Sequence, residues 1–174
     1  MRLFISVLVS KEVENYLKEI QKLFSNSGDF KFTKSFHITL KFLGWVDDNK
    51  LKHIDSLLKE ITYNSFELQL NNLGVFPSPS SARVLWVDAI GSINGLQKQI
   101  ELKLKKEFGE ETRFKSHITL AMIKKINDKG KFKELLSKVN IKSLKFQVSD
   151  FRLVKSELRI TGPIYTDLAS YKLK

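Results

Sequence analysis

The sequence predicts a chain of mixed α and β structure, folded as two similar lobes about a pseudo-twofold axis. Three observations predict it. The string HITL occurs twice, at His37–Leu40 and His117–Leu120, in a chain with only three histidines. The surroundings repeat with it, each half reading strand, helix, HITL strand, helix, strand. The spacing is also shared: 117 − 37 = 80, and Phe66 of FELQLNNL lies 146 − 66 = 80 before Phe146 of FQVSDFRL. The opening strands align as Arg2–Val9 and Arg83–Ile90, an offset of 83 − 2 = 81. Chance recurrence of Ile, Thr and Leu after His is on the order of one in a thousand. A period this long exceeds a solenoid unit. The reading is one bilobal domain over 1–174, with repeats over 2–73 and 83–154 and C-terminal strands over 155–174.

Each element has a local cause. Leu3–Val9 is apolar and rich in β-formers, which predicts a strand. Ser10 offers an N-cap to a helix carrying Val13, Tyr16, Leu17, Ile20, Leu23 and Phe24 at helical spacing. Ser25–Asp29, with its glycine, ends that helix. FHITLKFLG is the second strand, closed by Gly44. Asp47 or Asp48 caps a helix with Leu51, Ile54, Leu57, Leu58 and Ile61 inward, and Phe66–Leu73 alternates as a strand. GVFPSPSS, rich in Pro and Ser, is a turn or linker. Then Arg83–Ile90 is a strand, Ser92 a cap, and Ile93, Leu96, Ile100, Leu104 and Phe108 a helical stripe. SHITLAMI is a strand, Phe132, Leu135, Leu136 and Val139 mark a short helix, and LKFQVSDFRLV is extended. The tail adds one or two strands, with Thr161-Gly162-Pro163 as their turn.

Composition narrows the chemistry. There is no cysteine, which removes disulfides, thiolate zinc sites and a cysteine nucleophile, and fits a reducing cytoplasm. No stretch approaches the roughly 20 apolar residues of a membrane span. Thirty Lys and Arg against nineteen Asp and Glu give a net charge of +11, which favours nucleic acid or another phosphate ligand as partner.

Alternate side chains of a strand point to opposite faces. In each HITL copy, Ile and Leu therefore face a core while His and Thr face away from it. Two imidazoles and two hydroxyls converge if the repeats pack about a twofold axis. That set suits phosphate chemistry. Histidine titrates near pH 6.5, so one ring can take a proton from water while the other protonates a leaving oxygen. Two threonine hydroxyls can donate to non-bridging phosphate oxygens. Two histidines without a third ligand make a poor zinc site, so no metal is expected.

The paired H-x-T-x strings resemble the 2H phosphoesterase superfamily. HITLKFLG, GVFPSPSSARVLWV and LVKSELRITGPIYTDLASYKL look like its RNA 2′,3′-cyclic phosphodiesterase branch, also called the 2′-5′ RNA ligase family, over nearly the whole chain. The resemblance implies an α+β bilobal fold with an antiparallel sheet in each lobe, helices outside and a cleft between. It implies hydrolysis of a terminal 2′,3′-cyclic phosphate to a 2′-phosphomonoester, with no cofactor and no metal. It assigns His37 as proton donor, His117 as proton acceptor, and Thr39 and Thr119 as phosphate-binding residues. The implied partner is RNA with a cyclic phosphate end, single-stranded or tRNA-derived, met by a cytoplasmic monomer with no membrane and no obligate protein partner. Alternatives are 2′-5′ ligation of RNA halves and an RNA-end-binding module without turnover. One departure stands out: many members carry Arg five residues after the second motif histidine, where this chain has Met122.

Supporting residues follow from position. Lys41 shares its strand face with His37 and Thr39, which makes it a substrate-binding candidate. Arg83, after the Pro/Ser stretch, is another. Phe76 is either a base-stacking residue or the anchor of its own turn. His53, on a helix without a matching partner, reads as a surface histidine.

Overall fold

The structure, a computed structural model, describes residues 1–160 and 162–174. It opens with β1 (Arg2–Leu8) and α1 (Lys11–Phe24), whose first turn is capped by Ser10 Oγ accepting from the Val13 amide at 3.3 Å. Val13, Tyr16, Leu17, Ile20 and Phe24 form the buried stripe of α1. Next come β2 (Gly28–Phe32), β3 (His37–Trp45), and α2 (Asp48–Lys59), where Asp47 is the cap, its Oδ1 accepting from the Lys50 amide at 2.8 Å. β4 (Phe66–Phe76) leads through a short 3-10 turn at Pro79–Ser81 to β5 (Val84–Gly91). The chain closes with α3 (Ile93–Phe108), β6 (His117–Ile126), α4 (Lys129–Lys138), β7 (Lys145–Val148), β8 (Asp150–Arg159) and β9 (Gly162–Lys172).

Three local expectations are corrected. The segment after α1 is more than a turn: Gly28–Phe32 is a strand on β6, and Phe30 and Phe32 pack against the core. Ser92 stands at the start of α3 without a capping side-chain bond, and its carbonyl instead accepts from the Tyr63 hydroxyl at 2.8 Å. Of the expected final turn, Thr161 lies outside the described residues, while Gly162 and Pro163 begin β9.

The strand order is β7-β4-β5-β6-β3-β1-β8-β9, with β2 added on β6, and every pairing is antiparallel. Two antiparallel halves meet where β3 touches β6, at the single pair Ile38–Ile118. Those residues are 118 − 38 = 80 apart, so they are one repeat position and the axis passes between them. The pairing of β4 with β7 obeys the same symmetry. Phe66 faces Val148 and Leu68 faces Phe146, with 146 − 66 = 80 and 148 − 68 = 80. The opening strands follow this offset too, because Val7 pairs with Ile38 as Val87 pairs with Ile118, and 87 − 7 = 80. The expected offset of 81 is thus one residue too long.

The repeats exchange parts. β4 of the first repeat pairs with β5 of the second, and β8 at the end of the second pairs with β1 of the first. Likewise α1 lies on β6 and α3 on β3. The chain runs almost directly from β7, at one end of the order, to β8 on the other side, which curls the sheet. Both axial isoleucines are fully buried in the core. Truncating either to alanine costs about 2–5 kcal/mol, so the contact that aligns the motifs is also a core contact.

Candidate active site

Neighbouring antiparallel strands run in opposite directions. Beside the Ile38–Ile118 pair, His37 therefore falls opposite Thr119, and Thr39 opposite His117. Ile38, Leu40, Ile118 and Leu120 are buried, while the four His and Thr residues are half-buried on the other face. The sequence-predicted quartet is thus gathered on one face of one strand pair.

Each imidazole sits in an aromatic setting supplied by the strands beside it. His37 packs against Phe4 of β1 and Tyr165 of β9, with ring centroids 5.1 and 5.2 Å away. His117 packs against Phe76 of β4 at 5.0 Å and Trp86 of β5 at 6.4 Å. His117 Nδ1 lies 2.7 Å from the Lys115 carbonyl. A carbonyl has no proton to give, so Nδ1 donates and Nε2 of the neutral ring keeps its lone pair. The backbone of Ser35, 115 − 35 = 80 residues before Lys115, favours a proton on His37.

Burial lowers both imidazole pKa values, because the charged form loses its hydration. His37 is pushed down to about 4, with the Ser35 bond opposing burial, His117 adding to it, and the Asp167 carboxylate partly offsetting it. At His117 burial leads, the Lys115 carbonyl opposes it, and the Lys115 charge adds to it. Both rings are neutral near pH 7. The two ends differ, with a carboxylate near His37 and an ammonium near His117.

A cleft of about 210 Å³ opens between the halves, lined by residues 39–42 of β3, Lys41 among them, by Phe108 and His117, and by the α3–β6 loop with Glu110, Glu111, Arg113, Phe114 and Lys115. A larger hollow of about 390 Å³ is lined by residues 62–66 and Ser92 and holds none of the quartet.

Of the two further expected binding residues, Lys41 borders the cleft with its charge already engaged, and Arg83 stands outside the cleft lining. The register of β3 against β1 slips at Leu40, so Lys41 pairs with the inward-facing Ile5 and Phe42 takes the face of His37 and Thr39. Lys41 is buried, and its Nζ donates to Glu101 Oε2 of α3 at 2.7 Å and to the Gly109 carbonyl at 2.9 Å. Arg83 is exposed just before β5, its amide donating to the Phe76 carbonyl at 2.7 Å and its carbonyl accepting from the Ile123 amide at 2.8 Å. The slip recurs at Leu120 of β6, 120 − 40 = 80 residues on, which turns Met122 to the cleft face, half-exposed beside Val84. Phe76 anchors its own corner against Trp86 at 5.0 Å while also supporting His117. His53 is a surface histidine, with Nε2 2.6 Å from Glu107 Oε1.

The sequence pattern missed Phe4, Tyr165 and Asp167 as neighbours of His37. Tyr165 and Asp167 come from β9, and Asp167 is paired with Arg152 of β8. Alternation along a tail strand does not say which motif it will cover.

Among the described residues, no three His, Cys, Asp or Glu side chains converge as metal ligands. No helix of the described residues is long and apolar enough to cross a membrane. The profile of LigT-like phosphoesterases matches residues 7–86 and 88–165, one span in each half. An RNA 2′,3′-cyclic phosphodiesterase of Archaeoglobus fulgidus is 35% identical over 178 aligned positions, covering 99% of this chain and 100% of that one. A protein of the same name from Methanothermobacter thermautotrophicus is 31% identical, covering 99% of each. Among solved structures, TT0787 of Thermus thermophilus superposes with a TM-score of 0.85 at 27% identity, over 99% of this chain and 97% of that one. Escherichia coli LigT complexed with 3′-AMP shares the fold, with a TM-score of 0.75 at 22% identity over 99% and 97%. With both halves matched by one profile and relatives aligned from end to end, the chain belongs to the LigT-like phosphoesterase family.

Proposed function

We propose that this protein hydrolyses the 2′,3′-cyclic phosphate end of RNA to a 2′-phosphomonoester, with His37 and His117 as paired acid and base and no metal in the step. The observation that carries this reading is the Ile38–Ile118 pair, which sets both His/Thr pairs on one face. The net charge of +11 suits an RNA substrate, and the end-to-end relatives bear the name of this activity.

In the proposed step, Nε2 of neutral His117 takes a proton from water as the water oxygen bonds to phosphorus. The P–O3′ bond breaks, and Nε2–H of protonated His37 gives its proton to the departing oxygen. Thr39 and Thr119 hydroxyls donate to the non-bridging oxygens, where charge builds. Since both rings are neutral in the free protein, the acid gains its proton when the anionic phosphodiester enters, because a negative charge alongside favours the imidazolium. Asp167 favours that proton at His37, and Lys115 disfavours it at His117. These neighbouring charges support the acid role for His37, while burial, the larger influence on that ring, works against its proton. The test is product identity: adenosine 2′,3′-cyclic phosphate treated with the protein should give 2′-AMP. Accumulation of 3′-AMP, or no product, would overturn the reading.

A further inference from the structure

We infer that Lys115 is the cation that holds the substrate phosphate against His117 and the threonines. This rests on the reading of the site as one that takes a phosphodiester. The phosphate must shed water to reach the half-buried quartet, and a fixed positive charge beside it replaces that hydration.

The nearby cations differ in what already holds them. Lys41 is buried and held by Glu101 and Gly109. Arg152 has its terminal nitrogens on Asp150 and Asp167. Arg83 precedes β5 and is not among the residues that line the cleft. Met122 on the cleft face of β6 carries no charge, and Lys31, paired with it from β2, extends towards Gly162 of β9. Arg113 and Lys115 line the cleft together with Thr39 and His117.

Lys115 is the better placed of the two. Its carbonyl is bonded to His117 Nδ1 at 2.7 Å, which ties its backbone to that ring. Its ammonium rests 4.6 Å over the Trp86 ring, on the aromatic wall that also supports His117. The nearest carboxylate, Asp88, is 3.9 Å away, too long for a firm hydrogen bond, so the charge is held near the site without being consumed. The equivalent position in the first repeat is Ser35, so this cation marks one end of an otherwise symmetric site. An ammonium on a flexible stem also meets a phosphate from many angles, unlike the fixed fork of an arginine.

The experiment compares wild type, K115A, K115R and R113A in turnover of adenosine 2′,3′-cyclic phosphate and in calorimetric binding of 2′-AMP and adenosine. K115A is expected to lower kcat/KM by about 10- to 100-fold, the range of a lost charged hydrogen bond. It should weaken 2′-AMP while leaving adenosine unchanged, K115R should stay within about threefold of wild type, and R113A should lose less than K115A. Should K115A fail to fold, K115M, which keeps an apolar stem over Trp86, carries the same expectation. The inference is overturned if the folded variant stays within about twofold of wild type, if adenosine weakens as much as 2′-AMP, or if R113A takes the larger loss. If wild type itself does not turn over the cyclic nucleotide, the hydrolase reading fails, while the 2′-AMP comparison still decides the role of Lys115.

Discussion

Acid should weaken this fold through His37. Its ring is packed between Phe4 and Tyr165, and burial pushes its pKa from 6.5 down to about 4. In the unfolded chain the imidazole keeps its ordinary value. Between those two pH values the unfolded chain binds a proton that the folded chain does not, so stability is full above pH 6.5 and falls as the pH drops towards 4. The interval, 6.5 − 4 = 2.5 pH units, at about 1.36 kcal/mol each, gives about 3 kcal/mol. Urea unfolding of wild type and H37N at about pH 7.5 and pH 4 measures it. Asparagine stays polar but does not titrate, and contributions from carboxylates and His117 cancel in the difference. Wild type should lose about 3 kcal/mol more than H37N across the interval. Equal losses in the two proteins would refute the assignment of a buried, neutral His37.

Two further outcomes test the frame around the site. K41M leaves Glu101 buried without its cation; the two side chains are only 3% and 7% exposed, so denaturation should show a loss of about 3–5 kcal/mol, most of it recovered in K41M/E101M. A loss below about 1 kcal/mol would mean the pair does not anchor α3 to β3. Gly74 pairs with Trp86, and a β-carbon there would fall within the indole ring, so G74V should cost about 1–3 kcal/mol and lower kcat/KM by displacing the wall behind His117 and Lys115. Unchanged stability and turnover in G74V would contradict that packing.

Much of the architecture was legible because hydrophobic periodicity is local. The stripe from Val13 to Phe24 gave α1, and alternation around HITL gave β3 and β6 with the correct inward pair of Ile and Leu. The offset of 80 carried the twofold relation and, with it, the meeting of the motifs. What the pattern hid was pairing between distant segments. That β4 would join β5 while β8 joined β1 has no local signature, and neither does the placing of Tyr165 and Asp167 beside His37. Lys41 was less legible for a different reason: strict alternation puts it on the face of His37 and Thr39, and the slip at Leu40 turns its ammonium to Glu101. Glu101, its partner, lies 101 − 41 = 60 residues away on a helix of the other repeat, so the compensating charge was equally out of view.

The most direct test of the account is turnover of adenosine 2′,3′-cyclic phosphate by wild type, H37A and H117A in excess EDTA. The account predicts that wild type keeps its rate with the chelator present and that each alanine variant loses about 10²–10⁴-fold, the share of an acid or a base in such a step. Turnover that disappears in EDTA, or either variant at the wild-type rate, would contradict it.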